Sequence, residues 1–242
     1  MYKKITHNIV EEHFDHPLAT ELKKKMDRPA MTHQNSQMLT LSDPLPQYVM
    51  NENTMVFRMD ARSLWSKYAW GLLNYSISMA ANLPVKEQVE ARTFKNARAL
   101  GDFITPYYGI TAGNELSNIL TSISQVGIDV VKAVQEKESI DKFKVIWATL
   151  IDELAELMHD LNPNYWPETL TRDYFTNLVN YWVDEITARA AKDTTADDEA
   201  IEKLNKLMVF GITNSSPAHK TSSYADIFSR GMIAQFSSMF AE

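Results

Sequence analysis

The chain of 242 residues contains no cysteine. Disulfide frameworks, thiolate metal sites and cysteine nucleophiles are excluded together. Glycine is scarce: the seven glycines (71, 101, 109, 113, 127, 211 and 231) never form G-x-G-x-x-G or G-x-x-x-x-G-K-[ST]. A glycine-cradled nucleotide site is therefore set aside, and so is a β-rich fold with many tight turns. A G-x-S-x-G nucleophile elbow is also lacking. Basic residues are in the minority, 24 against 31 acidic, for a net charge of −7. A nucleic-acid partner, which would draw its affinity from Lys and Arg on phosphate, is not expected. No apolar run reaches the roughly 20 residues of a membrane span. The most apolar stretch, Tyr68 to Leu83, is broken by Asn74, Ser76, Ser78 and Asn82. After the initial Met-Tyr-Lys-Lys, polar His7, Glu11, Glu12 and His13 arrive before any apolar h-region, so export is not expected. The expected setting is the cytoplasm or a virion.

What the sequence does have is helical periodicity. An apolar fraction of 45% is that of a folded globule. From Asp60, a good N-cap residue, Leu64, Trp65, Tyr68, Leu72, Leu73, Ser76 and Met79 recur at spacings of one, three and four. Pro84 ends that stripe, and a weaker one follows with Val85, Val89, Arg92, Asn96 and Leu100. Thr105-Pro106-Tyr107-Tyr108-Gly109 reads as a break. The next two helices carry Leu116, Ile119, Leu120, Ile123 and Val130, then Trp147, Leu150, Ile151, Leu154 and Met158. Their short connection predicts an αα-hairpin of 114–136 on 140–161. A further helix from about Thr171 carries Leu178, Trp182, Glu185 and Arg189; a shorter one opens in the acidic stretch from Thr194, and a last one runs from Tyr224. Sustained alternation of period two is lacking. The expected class is all-α, an antiparallel four-helix-type bundle with additional short helices.

Residues 1–59 differ in character. They hold four of the nine prolines (Pro17, Pro29, Pro44 and Pro46) and scattered apolar residues without a period. The expected division is an N-terminal arm, 1–59, mostly extended or irregular with a short helix near Pro17–Met26, and a bundle domain, 60–242. Such an arm cannot bury enough apolar surface to offset about 1–2 kcal/mol of backbone ordering per residue. It is expected to lie on the bundle's flank or on neighbouring subunits.

Each candidate for chemistry has a plain alternative. Glu156-Leu157-Met158-His159 is an E-x-x-H on a helix, the motif that di-iron bundles use twice. Here it occurs once, and 156 and 159 fall mostly opposite the apolar stripe, where a solvated face is expected. His13 and His16, three apart beside Glu11, Glu12 and Asp15, would share a face if helical and could hold a divalent ion. Their plain reading is surface histidines of an arm. Lys23, Lys24 and Lys25 suit an acidic partner surface, or are simply solvated. Asp152, Glu153, Asp184 and Glu185 lie beside core positions, where salt bridging at the bundle rim is expected. Tyr107, Tyr108, Tyr165 and Trp166 fall in the breaks between rods, and would either cap the bundle's ends or form an interface, where Tyr and Trp are enriched. No cofactor is expected.

Residues 64–240 resemble an uncharacterised family of helical-bundle proteins of spore-forming bacteria, some of which carry kinase or glycosyltransferase names. The resemblance runs through Leu64-Trp65, Pro106-Tyr107-Tyr108-Gly109, Ile119-Leu120 leading to Val130-Val131-Lys132, and Trp147 with Asp152-Glu153. It continues through Leu161-Asn162-Pro163 with Trp166 and the ending Ala225-Asp226 to Gly231-Met232-Ile233-Ala234-Gln235-Phe236. The resemblance implies a fold. The family's inward stripes carry polar residues, mostly histidine, where this chain places Tyr68, Ile123, Leu150 and Leu178. An axial metal or polar pocket is thus expected to be filled with hydrocarbon here, and inherited activity is not implied.

The sequence therefore favours a non-enzymatic structural or interaction subunit of a large assembly, of which a minor capsid or virion component is one example. Its partners are expected to be other protein subunits met through residues 1–59, as an oligomer or hetero-assembly. The alternatives are a small-molecule or metal-binding bundle, with or without enzymatic activity, and a regulatory module using 85–104 as a lid.

Overall fold

The computed structural model describes residues 51–210 and 223–241. Their elements are α1 (Glu52–Ala80), α2 (Lys86–Glu136), α3 (Asp141–Leu161), α4 (Glu168–Ala191), α5 (Thr194–Phe210), α6 (Tyr224–Gln235) and a 3₁₀ turn (Ser237–Met239). The described residues include no strand, and the all-α class is what the structure shows.

Helix α1 starts earlier than Asp60. Asn51 caps it: the Thr54 amide donates to Asn51 Oδ1 at 2.9 Å, and the Asn51 amide donates back to Thr54 Oγ1 at 3.0 Å. This reciprocal box satisfies two orphan amides of the first turn. Phe57 then fixes the turn into the core, stacked on Phe103 at 4.8 Å between ring centroids and edge-on to Phe240 at 4.9 Å. Residues 52–59, assigned to the arm by sequence, are thus the first two turns of α1, and Asp60 is an exposed position within it. The expected short helix near 17–26 and the extended run at 43–46 lie outside the described residues.

The helical run of α2 folds back on itself at Gly109, whose φ of 86° and ψ of 167° leave the helical region. Such a conformation is open essentially only to glycine. The arms 86–108 and 110–136 lie antiparallel: Ser117 Oγ donates to the Arg98 carbonyl, and a side chain on Gly101 would collide with Gly113 and Ser117. Two glycines facing each other let the backbones approach that closely. The break expected at 105–109 is therefore a single-residue reversal, with Pro106 and both tyrosines still in helical turns.

Side-chain hydrogen bonds join each rod to its neighbours. The Thr93 hydroxyl reaches the Gly71 carbonyl and the Asn96 amide the Lys67 carbonyl, so 86–108 descends along α1. The Trp147 indole donates to the Ile123 carbonyl at 2.9 Å, joining α3 to 110–136 as the predicted αα-hairpin. Arg172 reaches back to Asp152 at 2.7 Å, pairing α4 with α3. α4 in turn lies along α1, where the Trp182 indole donates to the Ala69 carbonyl at 3.0 Å. One core fills the space between: Tyr68, Leu72, Leu100, Leu116, Leu120, Ile123, Leu154, Phe175, Leu178 and Trp182 are all buried. Each such large side chain contributes about 1.5–3 kcal/mol of transfer free energy relative to exposure.

Candidate functional site

Three of the four seam positions singled out by sequence are sealed in this core: Tyr68, Ile123 and Leu178 are buried, and Leu150 is half-buried at its edge. Burial drives the Tyr68 phenol far above its usual range, so it stays protonated and its hydroxyl donates to the Leu120 carbonyl at 3.3 Å. Tyr174 and Tyr224 stack at 4.6 Å, are likewise pushed up by burial, and the Tyr224 hydroxyl meets Thr171 Oγ1 at 3.0 Å.

The tyrosines and tryptophan of the breaks gather at one end of the molecule, around the C-terminal segment. Trp166 is buried and lies parallel to Phe228 at 5.0 Å. Tyr107 stacks on Phe240 at 5.9 Å, and Tyr108 packs edge-on against Phe236 while its hydroxyl donates to Gln235 Oε1 at 2.6 Å. Tyr165 is half-buried against the same core. Through these contacts α6 and the 3₁₀ turn close over the Gly109 reversal and the α3–α4 turn. Trp166 in particular presents no surface to another chain.

Two ionic clusters are built on carboxylates drawn into the bundle, Asp226 and Glu185. Asp226 sits at the third position of α6, where the helix N-terminus favours negative charge. It accepts from Arg58 at 2.9 Å and Arg62 at 2.8 Å, and from the Ser223 hydroxyl at 3.0 Å, while Ser223 Oγ caps the Asp226 amide. Burial pushes its carboxyl up, but the Arg58 hydrogen bond, the Arg62 charge and the Ser223 hydroxyl outweigh it, and the net shift is downward. The cluster ties α6 to α1.

The second cluster joins α1, α4 and α5. Glu185 is wholly excluded from solvent. Its Oε1 accepts from Arg189 and, at 3.3 Å, from the Ser76 hydroxyl, while Oε2 finds no hydrogen-bond donor. Arg189 also donates to Asp197 at 2.8 Å. Burial holds the Glu185 carboxyl above its usual range despite the Arg189 and Ser76 hydrogen bonds, and the nearby Asp197 charge adds to the rise. A salt bridge at the rim was expected for Glu185; the structure corrects this to one inside the core. The signal was present, because Leu178, Trp182, Glu185 and Arg189 continue one stripe at spacings of four, three and four. Likewise, Ser223-x-x-Asp226 has the form of a capping box ahead of an apolar run.

The E-x-x-H pair is separated by environment. Glu156 is exposed, and His159 is half-buried with Nδ1 donating to the Trp166 carbonyl at 3.3 Å, which commits that nitrogen to the α3–α4 turn. Asp152 pairs with Arg172 on the surface, Asp184 with Lys203 at 3.7 Å, and Glu153 is exposed. Among the described residues, no three His, Asp or Glu side chains gather as metal ligands would. His13, His16, Lys23, Lys24 and Lys25 lie outside the described residues. No described helix is long and apolar enough to cross a membrane. Neither a protein-family model, nor a curated protein, nor a solved structure matches the chain.

Proposed function

We propose that the chain is a non-enzymatic structural or interaction subunit of a larger assembly, with residues 1–59 reaching other protein subunits; a minor component of a virion is one assembly of this kind. The observation that supports this reading is how the bundle's polar groups are used. Asp226 is taken up by Arg58, Arg62 and Ser223, and Glu185 by Arg189 and Ser76, so each cluster fastens helices to one another. The seam between them is filled by Tyr68, Ile123, Phe175 and Leu178. A bundle locked in this way suits a rigid spacer, and the proline-bearing arm with Lys23, Lys24 and Lys25 suits contact with acidic surfaces of neighbours.

Amine-directed cross-linking of the protein in its native assembly, read by mass spectrometry, tests the proposal. Cross-links from Lys3, Lys4 and Lys23–Lys25 to other polypeptides are expected. Cross-links confined to the chain's own bundle would overturn it. So would stoichiometric iron, zinc or manganese in protein purified without chelator, which would move the reading to a metal-binding bundle.

A further inference from the structure

Helix α1 has two faces. Phe57, Ala61, Trp65, Tyr68 and Leu72 point into the core. On the opposite side Met59, Ser63, Ser66 and Trp70 follow at spacings of four, three and four, and so share one stripe. Among the described elements, α2 meets one flank of α1, where the Thr93 hydroxyl reaches the Gly71 carbonyl. Helix α6 meets the other, where Asp226 takes Arg58. The stripe between them is open: Met59 is 68% exposed, Ser63 is exposed, and Ser66 and Trp70 are half-buried. Trp65, Trp147, Trp166 and Trp182 are buried, so Trp70 is the tryptophan left at a surface. Asp60 and Lys67 border the stripe on one edge, both exposed and without an ion pair among the described residues. On the other edge, Arg62 is taken by Asp226.

We propose that this stripe docks on the same stripe of a second copy of the chain, with the two α1 helices antiparallel about a two-fold axis midway between Ser63 and Ser66. In a two-fold contact, if residue i meets j then j meets i, so the surface must complement its own reversed image. Reversal about this axis sets Met59 opposite the second copy's Trp70, and Ser63 opposite its Ser66. The layers then run large, small, small, large. The serines let the helices approach at the axis, and each Met59 thioether meets an indole face or edge, a favourable contact. Asp60 and the second copy's Lys67 come onto the same edge, offset by two residues, about 3 Å along the helix at 1.5 Å per residue. This pair forms twice. Like charges stand farther apart: the two Lys67 residues by about 7.5 Å along the helix, and the two Asp60 residues by about 13.5 Å. The stripe ends at Trp70, because Leu73, its next position, is buried in the chain's own core. A partner surface of one sign would suit either Asp60 or Lys67 and oppose the other.

This contact rests on the reading of the chain as an interaction subunit and names one of its partners. From Met59 to Trp70 it spans about 16 Å of helix. That buries less than the roughly 1,200 Å² of a standard interface, so the dimer is reversible, forming at chain concentrations on the order of 100 µM. The absence of cysteine makes the test clean. In the full-length chain, Ser63→Cys places one thiol beside the axis, and mild oxidation should give a covalent dimer. Asn180→Cys, on an exposed position of α4, should give far less. By sedimentation velocity, Asp60→Lys and Lys67→Asp should each weaken dimerisation about tenfold, because the pair occurs twice, and the double reversal should restore it. These positions are exposed, and circular dichroism checks that folding is retained. The thiol comparison decides the matter even where a charge variant fails to fold.

A chain that stays monomeric at such concentrations would overturn the proposal. Equal oxidation at both thiol positions, or failure of a folded double reversal to restore association, would do the same. So would a thiol at 63 that resists alkylation in the monomer, since the stripe would then be covered by the chain itself. Cross-links from residues 1–59 to other polypeptides would persist in each of these cases, so the contact can fail while the assembly reading stands.

Discussion

Replacing Arg189 by methionine isolates what its charge does for Glu185. The change keeps most of the apolar stem and removes the guanidinium that donates to Glu185 and to Asp197. Glu185 would then be a solvent-excluded carboxylate with Ser76 as its remaining donor. A core cannot hold that charge bare, so the carboxyl takes up a proton. Protonating a group whose ordinary value is 4.5 sets a ceiling on the loss. At about 1.36 kcal/mol per pH unit, the ceiling is about 3.4 kcal/mol at pH 7 and about 0.8 kcal/mol at pH 5. The sign follows from proton counting. The folded variant holds a proton that the unfolded chain releases, so its stability falls as pH rises above the ordinary carboxylate range. Because Glu185 is already raised in the unaltered chain, part of that slope is shared, so the expected loss lies below the ceiling at both pH values and is larger at pH 7 than at pH 5. Loss of the Asp197 contact adds less than about 1 kcal/mol at either pH. Urea unfolding followed by tryptophan fluorescence measures both, with Trp182 one turn from the site. A loss of equal size at pH 5 and pH 7 would refute the reasoning, since it would mean that Arg189 acts by packing alone.

Gly109→Ala should lower stability by about 1–3 kcal/mol through backbone strain, because its φ is positive and no atom crowds the position; an unchanged melting temperature would mean that the reversal is not held there. Gly101→Ala should also destabilise, although alanine is the better helix former by about 1 kcal/mol, because the methyl meets the Gly113 backbone across the hairpin. Asp226→Asn should cost about 1.5–3 kcal/mol at pH 7, where the carboxylate accepts from two arginines. The folded carboxyl is held low, so its contribution is present above the ordinary carboxylate range and lost as pH falls through it; the gap from the unaltered chain should close below about pH 4. Trp166→Ala should cost about 3–5 kcal/mol by emptying the space against Phe228, and should loosen the C-terminal segment first, as read by hydrogen exchange in residues 224–241.

The rods were legible because a helix on a core repeats its apolar residues at spacings of three and four, and nothing in this chain disguises that pattern between Leu116 and Met158. The start of α1 was not. Asn51, Thr54 and Phe57 are too few to make a period, and the cap depends on a reciprocal bond whose partners are read easily only once the helix is known. Phe57 is a core residue because Phe103, Tyr107 and Phe240 converge on it from distant segments. The Gly109 reversal lies between these cases. Pro106 and Gly109 marked a break, yet neither announces that helical turns continue to within one residue of it.

The two carboxylates that sit deepest in the ionic clusters show why composition misleads about sites. Glu156 with His159 has the appearance of a motif, and Glu185 with Arg189 has the appearance of an exposed i,i+4 pair. Their environments are the reverse of that impression, for a reason found in helical phase alone. Glu185 stands three residues after Trp182 and one before Ile186, both buried, so the turn carries it inward whatever its charge. Glu156 stands two residues before Met158 and two after Leu154, which puts it on the far side of α3. Phase also accounts for the absence of Asp226 from the sequence candidates. One residue of α6 gives no period, and its partners Arg58 and Arg62 lie more than 160 positions away, four apart on a stretch of α1 that had been divided between arm and bundle. Once α1 is seen to begin at Glu52, Arg58 and Arg62 fall one turn apart on a single helix face, and the site that fastens the C-terminal helix becomes readable.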